Sequence, residues 1–406
     1  MKILYSSNAV WAASGYGVQG KSLLPRLADL PTVGGRQNVR VFAWYGLQGG
    51  AHVVDGFVTY PQGADPYGND MIGQHSKDFG ADVVVTLIDA WVLRDTAQKV
   101  APAKWLPWLP IDHDPVPDAV LQAIESAHMP LTYSKWGHDM LLRHGRTNTY
   151  IPHGLEPSTY KILDRAQVAK FKRDRLGNPE HLTIMVAANK GYPDRKAFQV
   201  QLRAWAKFAA DKPGARIYIH TDPTTGSGGI DLHALCANLD ISSKIIVPNV
   251  YQYRLGLSAE HLAMLYNCAD VFLGATMSEG FGIPIIEAQA CGLPVIVTDF
   301  SAMPELVRWG TAVKPLDMMW TPLNSWQAWP DATGIADALE SHYAEWHDNE
   351  CTWDMAWQRQ ISASIHDEFG WDSIVSQHWK PLLEGLAGIG RVNGHPHIEH
   401  VMEPVP

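Results

Sequence analysis

The stretch Ser278–Pro294, SEGFGIPIIEAQACGLP, decides how the rest of the chain is read. The β-branched run Val271–Gly274 predicts a strand that delivers the chain to Glu279. Gly280, Phe281 and Gly282 then predict a turn, and Pro284 suits the first turn of a helix. A helix start presents unpaired N–H groups and the positive end of the helix dipole, which favours an anionic phosphate. Glu279 before the helix and Glu287 on it cannot both serve that phosphate, because like charges repel. Their oxygens accept hydrogen bonds and so suit hydroxyl-rich partners, a sugar on one side and a ribose on the other. The chemistry asked for is that of a nucleotide sugar.

Short β-branched runs separated by segments of helical spacing extend from this motif through the chain. Lys2–Ser6, Val39–Trp44, Asp82–Ile88, Trp105–Ile111 and Leu131–Ser134 form one series. Leu182–Ala187, Ala215–His220, Lys244–Val247, Val271–Gly274 and Pro294–Thr298 form another. Such alternation predicts an α/β chain of two doubly wound parallel sheets. Ile151–Tyr160, IPHGLEPSTY, breaks both periodicities with Pro and Gly and marks the hinge. Residues 1–155 and 156–365 are therefore expected as two domains facing a cleft, with ligands at the carboxyl ends of the strands. Residues 366–387 are expected as a helix crossing back to the first domain, and 388–406 as a flexible tail. The three histidines of that tail lack the acidic or cysteine company of a metal site.

Composition agrees with this plan. A chain of 406 residues exceeds what one core usually serves, and 46% apolar with 18% charged residues is an ordinary globular balance. The net charge of −10 disfavours a polybasic membrane-surface or general nucleic-acid protein. Four widely spaced cysteines lack CxxC spacing, so a reducing cytoplasm is expected, with neither a zinc site nor a disulfide framework. No apolar run approaches the roughly 20 residues of a membrane-spanning helix.

One stretch pulls the other way. Gly15–Ser22, GYGVQGKS, matches GxxxxGK[ST], the spacing of a phosphate-cradling P-loop, and Val83–Asp89, VVVTLID, looks like the acidic-ended strand that accompanies one. A P-loop also needs a strand running straight into its first glycine. Here SNAVWAAS, Ser7–Ser14, intervenes.

The long motif also resembles a known family. Glu279 and Glu287 stand at the ExxxxxxxE spacing of retaining glycosyltransferases of the GT-B fold, and EGFGIPIIEAQACGLPVIVTDFSAMPEL is similar to family 4 members nearly residue by residue. LSAEHLAMLYNCADVFL, IPHG and ANKGYPDRKA resemble the segments that precede the motif in the family, so the likeness runs from the hinge to about Val313. It implies two Rossmann-like domains and a nucleotide-diphosphate sugar as donor, UDP- or GDP-linked, with no cofactor or obligatory metal. By matching position, Glu279 would bind hydroxyls of the donor sugar, Phe281, Gly282 and Ile283 would offer backbone contacts, and Glu287 would bind the ribose. Lys196 and Arg195 would neutralise the leaving diphosphate. Many members carry an arginine where this chain has Asn189. Gly15 and Gly17 match the family's glycine-rich loop after the first strand, which places Lys21 and Ser22 in the following helix.

His113, in PIDHDP, resembles the family's cleft histidine, although Asp112 and Asp114 mimic the metal-binding DxD of the other large glycosyltransferase fold. Asp89 is expected at a strand end, either facing the cleft or capping a helix. Double displacement would require a carboxylate nucleophile on the far face of the sugar, and no residue clearly fills that role. The likeness implies a front-face transfer of glucose or a similar hexose to an acceptor hydroxyl, on a glycan, protein, small molecule, lipid or modified nucleobase. A P-loop NTPase and a non-catalytic nucleotide-sugar-binding protein stay open as alternatives.

Overall fold

The computed structural model describes residues 1–190 and 194–388. The first sheet contains β1 (Ile3–Asn8), β2 (Val39–Tyr45), β3 (His52–Val54), β4 (Phe57–Tyr60), β5 (Val83–Leu87), β6 (Lys104–Leu109), β7 (Leu131–Thr132) and β8 (Thr149–Tyr150). Their order is β3-β4-β2-β1-β5-β6-β7-β8, parallel throughout except for β3 against β4. β1 and β5 lie side by side in the middle, Ile3 opposite Val83, and both are buried along their whole length. This is why VVVTL reads as a continuous apolar run rather than an alternating one.

β1 runs two residues beyond the expected Lys2–Ser6. Ser7 and Asn8 look like loop residues, but the Ser7 hydroxyl donates to the Leu87 carbonyl at 2.9 Å, and this neighbour-strand bond lets a polar side chain stay buried.

The second sheet comprises β9 (His181–Val186), β10 (Ala215–His220), β11 (Ile245–Ile246), β12 (Val271–Gly274), β13 (Val295–Thr298) and β14 (Gly310–Val313). It is parallel, in the order β11-β10-β9-β12-β13-β14. β14 is a four-residue, half-buried edge strand, too short to show in the sequence pattern. After it comes an unforeseen antiparallel hairpin, β15 (Asp317–Trp320) and β16 (Trp326–Trp329).

The two sheets share one continuous core, in which Ile3, Leu106, Leu182, Ile286 and Trp379 all take part. Helix Met355–Phe369 packs on helix Ile283–Ala290 of the second domain. Past Gly370 the chain returns to the first sheet, where Trp379 meets the ring of Trp108 edge-on at 5.2 Å. Gly154 lies against Trp371 so closely that a Cβ there would stand 2.6 Å from the indole. Gly388 closes the last described turn, and 389–406, the rest of the expected tail, lie outside the described residues. Among the described residues no helix is long and apolar enough to cross a membrane.

Candidate active site

The carboxyl ends of both sheets meet at the turn Ser278–Gly282. Gly280 lies tight against the first domain, since a Cβ on it would stand 2.5 Å from Pro110 Cβ. Gly282, at φ 107°, then turns the chain into helix Ile283–Ala290, with Pro284 in its first turn. The side chain of Phe281 is buried against His153 and Phe369, which leaves the backbone of this turn at the cleft.

Glu279 is the hub of a charged cluster. Its Oε1 accepts from Lys196 Nζ at 2.5 Å and from Thr276 Oγ1 at 3.2 Å, and Arg195 NH1 stands 3.9 Å from Oε2. Burial pushes the Glu279 carboxyl up, but Lys196 and Arg195 outweigh it and hold the group below its ordinary value. Burial and the neighbouring Arg195 lower the Lys196 ammonium, against the pull of Glu279. The backbones of the two basic residues are held from both sides: Met277 N, just past β12, donates to Arg195 O at 3.1 Å, and Gln201 Nε2, on the helix Phe198–Phe208, donates to Lys196 O at 2.7 Å. Arg195 NH1 further donates to Ser278 O at 2.9 Å, while 41% of its side chain stays exposed to the cleft.

The first domain meets this cluster through the loop after β6. Asp112 Oδ1 lies 2.7 Å from His113 Nδ1, and Asp112 Oδ2 lies 3.7 Å from Arg195 NH1. Burial raises the Asp112 carboxyl, but His113, Arg195 and Lys196 together hold it low. An ionised carboxylate only accepts, so His113 carries its proton on Nδ1 and leaves Nε2 as the other ring nitrogen. Neither Asp112 nor Asp114 approaches a metal cluster, and among the described residues no group of three or more metal-ligating side chains occurs. Asp114 instead pairs with the β15–β16 hairpin: Asp114 and Trp326 exchange two backbone hydrogen bonds of 3.1 Å. Gln327 reaches inward from the hairpin and donates to Ser278 Oγ at 2.6 Å, which donates in turn to Asp112 Oδ2 at 3.4 Å.

Glu287 sits one turn into the helix, buried against Tyr266, whose hydroxyl donates to it at 3.1 Å, and against Tyr160. Burial lifts its carboxyl to about 7, against the partial relief of the two tyrosines. Asp89 lies where β5 enters the cleft. It occupies the cap position of the short turn that follows but makes no capping bond, and burial together with Asp112 raises its carboxyl.

Gly15 and Gly17 depart from expectation in form: they stand in the first turn of helix Gly15–Asp29, not in a loop. The loop is Ala9–Ser14, and the Ser14 hydroxyl caps the helix by accepting from Gly17 N at 3.1 Å. A Cβ at Gly17 would stand 2.5 Å from Ala12 O, whereas one at Gly15 would only touch Ile283 Cδ1 across the cleft at 3.8 Å. All of GYGVQGKS is helical, with Lys21 exposed, so no glycine backbone there wraps a phosphate. Asn189 turns away from the cleft chemistry: its Nδ2 donates to Asp222 O, Thr224 O and Ile230 O, and its Oδ1 accepts from Ile230 N.

His113, Glu279, Lys196 and Arg195 are thus brought together, with Phe281, Gly282, Ile283 and Glu287 along one helix start. Asp112, Ser278 and Gln327 belong to the same network and were missed. Asp112 and Ser278 lie inside quoted motifs, but Gln327 carries no sequence signal.

The family model "Glycosyl transferases group 1" matches residues 181–340. The D-inositol 3-phosphate glycosyltransferase of Streptomyces scabiei is 32% identical over 151 residues, 36% of this chain and 34% of that protein. That of Geodermatophilus obscurus is 26% identical over 167 residues, 41% of this chain and 36% of that one. The matches thus span about a third of the relatives' length. Among solved structures, Anabaena HepE in complex with UDP and glucose superposes with a TM-score of 0.67 at 15% identity, covering 96% of this chain and 100% of that one. Sucrose-phosphate synthase from Thermosynechococcus elongatus gives 0.69 at 16% identity, covering 96% and 100%. These likenesses establish the GT-B fold along the chain.

Proposed function

From the match of residues 181–340 to the glycosyl transferases group 1 family model, within a GT-B fold, we propose that the protein is a retaining glycosyltransferase. It moves glucose or a similar hexose from a nucleoside diphosphate to an acceptor hydroxyl. The observation that carries this reading is the Lys196–Glu279 pair, flanked by Arg195 and the start of helix Ile283–Ala290. A carboxylate for sugar hydroxyls and two cations for a diphosphate stand within one cluster.

In the proposed step the bond between the sugar C1 and the diphosphate oxygen breaks, and its electron pair leaves with the diphosphate. The acceptor oxygen bonds C1 on the same face, and its proton passes to the departing phosphate oxygen. Lys196, Arg195 and the helix N–H groups stabilise the charge that develops there, which is the larger part of catalysis in such sites. Glu279 and His113 orient the sugar, the backbone of Phe281, Gly282 and Ile283 borders sugar and diphosphate, and Glu287 accepts from the ribose hydroxyls. These cations supply the charge that a metal would otherwise bring, so the reading requires no metal. HepE was captured with UDP and glucose, which favours a UDP-linked donor here. The unpaired cysteines fit a reducing cytoplasm.

A thermal-shift series with UDP, GDP, UDP-glucose, GDP-mannose and ATP, each with and without Mg²⁺, tests the donor. A nucleoside diphosphate or its sugar is expected to stabilise the protein without Mg²⁺, and Lys196→Ala to slow transfer by about 10²- to 10³-fold, partly restored in Lys196→Arg. Stabilisation by ATP–Mg²⁺ alone, lost in Lys21→Ala, would overturn the proposal.

A further inference from the structure

The first domain is tied to the donor carboxylate Glu279 by the short segment 300–306, which follows β13. Helix Lys135–Arg143 follows β7 in the first domain. Its cap, Ser134, satisfies only one of the N–H groups that a helix start leaves unpaired, accepting from Gly137 N at 3.0 Å. The two before it, Lys135 N and Trp136 N, donate to Oε1 and Oε2 of Glu305 in the second domain, each at 2.9 Å. One carboxylate thus caps a helix of the other domain with both of its oxygens, and the positive end of the helix dipole favours the charge. Burial raises the Glu305 carboxyl, against the relief of the two amides and of Lys135, so what holds the charge in place comes from the first domain. The same two segments also meet through the rings of Trp136 and Phe300, edge to face with centroids 5.7 Å apart.

The other end of the segment holds Glu279. Ser301 Oγ accepts from Glu279 N at 3.1 Å, and Met303 Sδ lies 3.4 Å from Thr276 Oγ1, the hydroxyl that bonds the Glu279 carboxylate. Ser301 reaches that amide from a left-handed backbone, φ 53°, which a residue with a Cβ keeps only where its surroundings hold it there. Four residues on, Glu305 anchors the turn Met303–Leu306 to the first domain. The segment therefore touches Glu279 through its amide and its Thr276 partner at one end, and the first domain at the other.

We propose that segment 300–306 is a brace, with Glu305 and Ser301 as positioning residues that make the seating of the donor sugar on Glu279 depend on the first domain. The assignment rests on the transferase reading above, in which Glu279 meets the sugar while Lys196, Arg195 and the helix start meet the diphosphate. Loss of the brace should therefore weaken the hold on the sugar and spare the hold on the nucleotide. The test measures affinity for UDP and UDP-glucose, and for GDP and GDP-mannose, by calorimetric titration of the wild type, Glu305→Gln, Ser301→Gly and the double variant. In Glu305→Gln an amide N–H replaces one accepting oxygen and faces a donor. Ser301→Gly removes the hydroxyl yet suits the left-handed backbone, which separates positioning from a loss of fold. Each single variant should bind the nucleotide sugar about five- to tenfold more weakly, the scale of one lost hydrogen bond, and the bare nucleoside diphosphate within about twofold of wild type. Because both residues act along one path, the double variant should lose no more than about twice what the weaker-binding single variant loses. Equal loss for the nucleotide and its sugar, no loss in one of the single variants, or losses that multiply in the double variant would overturn the brace and leave the transferase reading standing. A wild type that binds neither a nucleoside diphosphate nor a nucleotide sugar would strike the transferase reading itself.

Discussion

At the scale of single residues, Glu287 links the donor site to stability. Burial raises its carboxyl from an ordinary 4.5 to about 7, so the folded protein prefers the protonated form. A raised carboxyl pKa favours the folded state fully below the unfolded value, and that advantage disappears as pH climbs through the folded value. The difference corresponds to about 3 kcal/mol. Urea unfolding at pH 4, pH 6 and pH 8 should therefore show Glu287→Gln gaining on the wild type by about 3 kcal/mol across this range, because glutamine stays neutral throughout. A difference between the two proteins that does not change with pH would refute the assignment. The Glu279 and Glu287 spacing and the Gly282 turn could be read along Ser278–Pro294, and the Arg195–Lys196 pair along the separate stretch Ala188–Ala197. What spacing could not reveal was direction. Asn189 occupies the position where many family members carry an arginine, yet its amide hydrogens go to three carbonyls of the 222–230 loop. Asp89 looked equally like a helix cap, and only the absent capping bond separates the two readings.

At the scale of elements, the β15–β16 hairpin is what ties the His113 loop to the donor turn. Its outer face carries Trp320 and Trp326, which meet edge to face with ring centroids 4.8 Å apart. On its inner side, Ser325 donates to Pro115 O, Gln327 donates to Ser278 Oγ, and Ala328 N donates to Met277 O at 3.1 Å. Gln327 therefore acts at a distance: it holds Ser278, Ser278 bonds Asp112, and Asp112 fixes the His113 ring. In Gln327→Ala the hydrogen-bond chain loses its first member, and His113 keeps its place only through Asp112. The expected result is a kcat lowered by about tenfold, the scale of a lost orienting hydrogen bond to a charged network, with donor affinity within about threefold of wild type. Equal losses in kcat and donor affinity would mean that the hairpin serves the donor site as a whole. The hairpin escaped the sequence reading because DMMW and WQAW are four-residue runs of mixed burial, from the exposed Trp320 and Trp326 to the fully buried Ala328, so they show neither the alternation of a half-buried strand nor the run of a buried one. The helix was legible from Lys21 onward, but the glycines of its first turns were read as a loop, since glycine at a helix start is rarer than in a turn; Gly17 there answers a close approach to Ala9 O and Ala12 O.

At the scale of the whole molecule, the return of the chain after Gly370 packs the two sheets around one shared core. Arg26 of the first domain donates to both oxygens of Glu156 at the hinge, at 2.8 and 3.1 Å, and to Asp372 beyond it at 2.6 Å. These ion pairs are partly exposed and contribute little. The packing contributes more: Trp379 is fully buried, edge-on to Trp108, and belongs to the core that also holds Leu182 and Ile286 of the second domain. Alternating β and α segments made two domains legible, but this shared core depends on which aromatic residues of the last turns meet across hundreds of residues, and periodicity carries no such information. Replacing Trp379 tests the coupling. Trp379→Ala should lower stability by about 3–5 kcal/mol, the range for emptying a buried aromatic site. Trp379→Phe should cost markedly less, because the indole N–H is buried without a hydrogen-bond partner and its loss forfeits no bond. Calorimetry of the wild type should give one unfolding transition, since no seam in the core separates the sheets, and Trp379→Ala should split or broaden it as the first domain loses its cover before the second. A wild type that already unfolds in two steps, with Trp379→Ala shifting only one, would show that the returning helices stabilise the first domain alone.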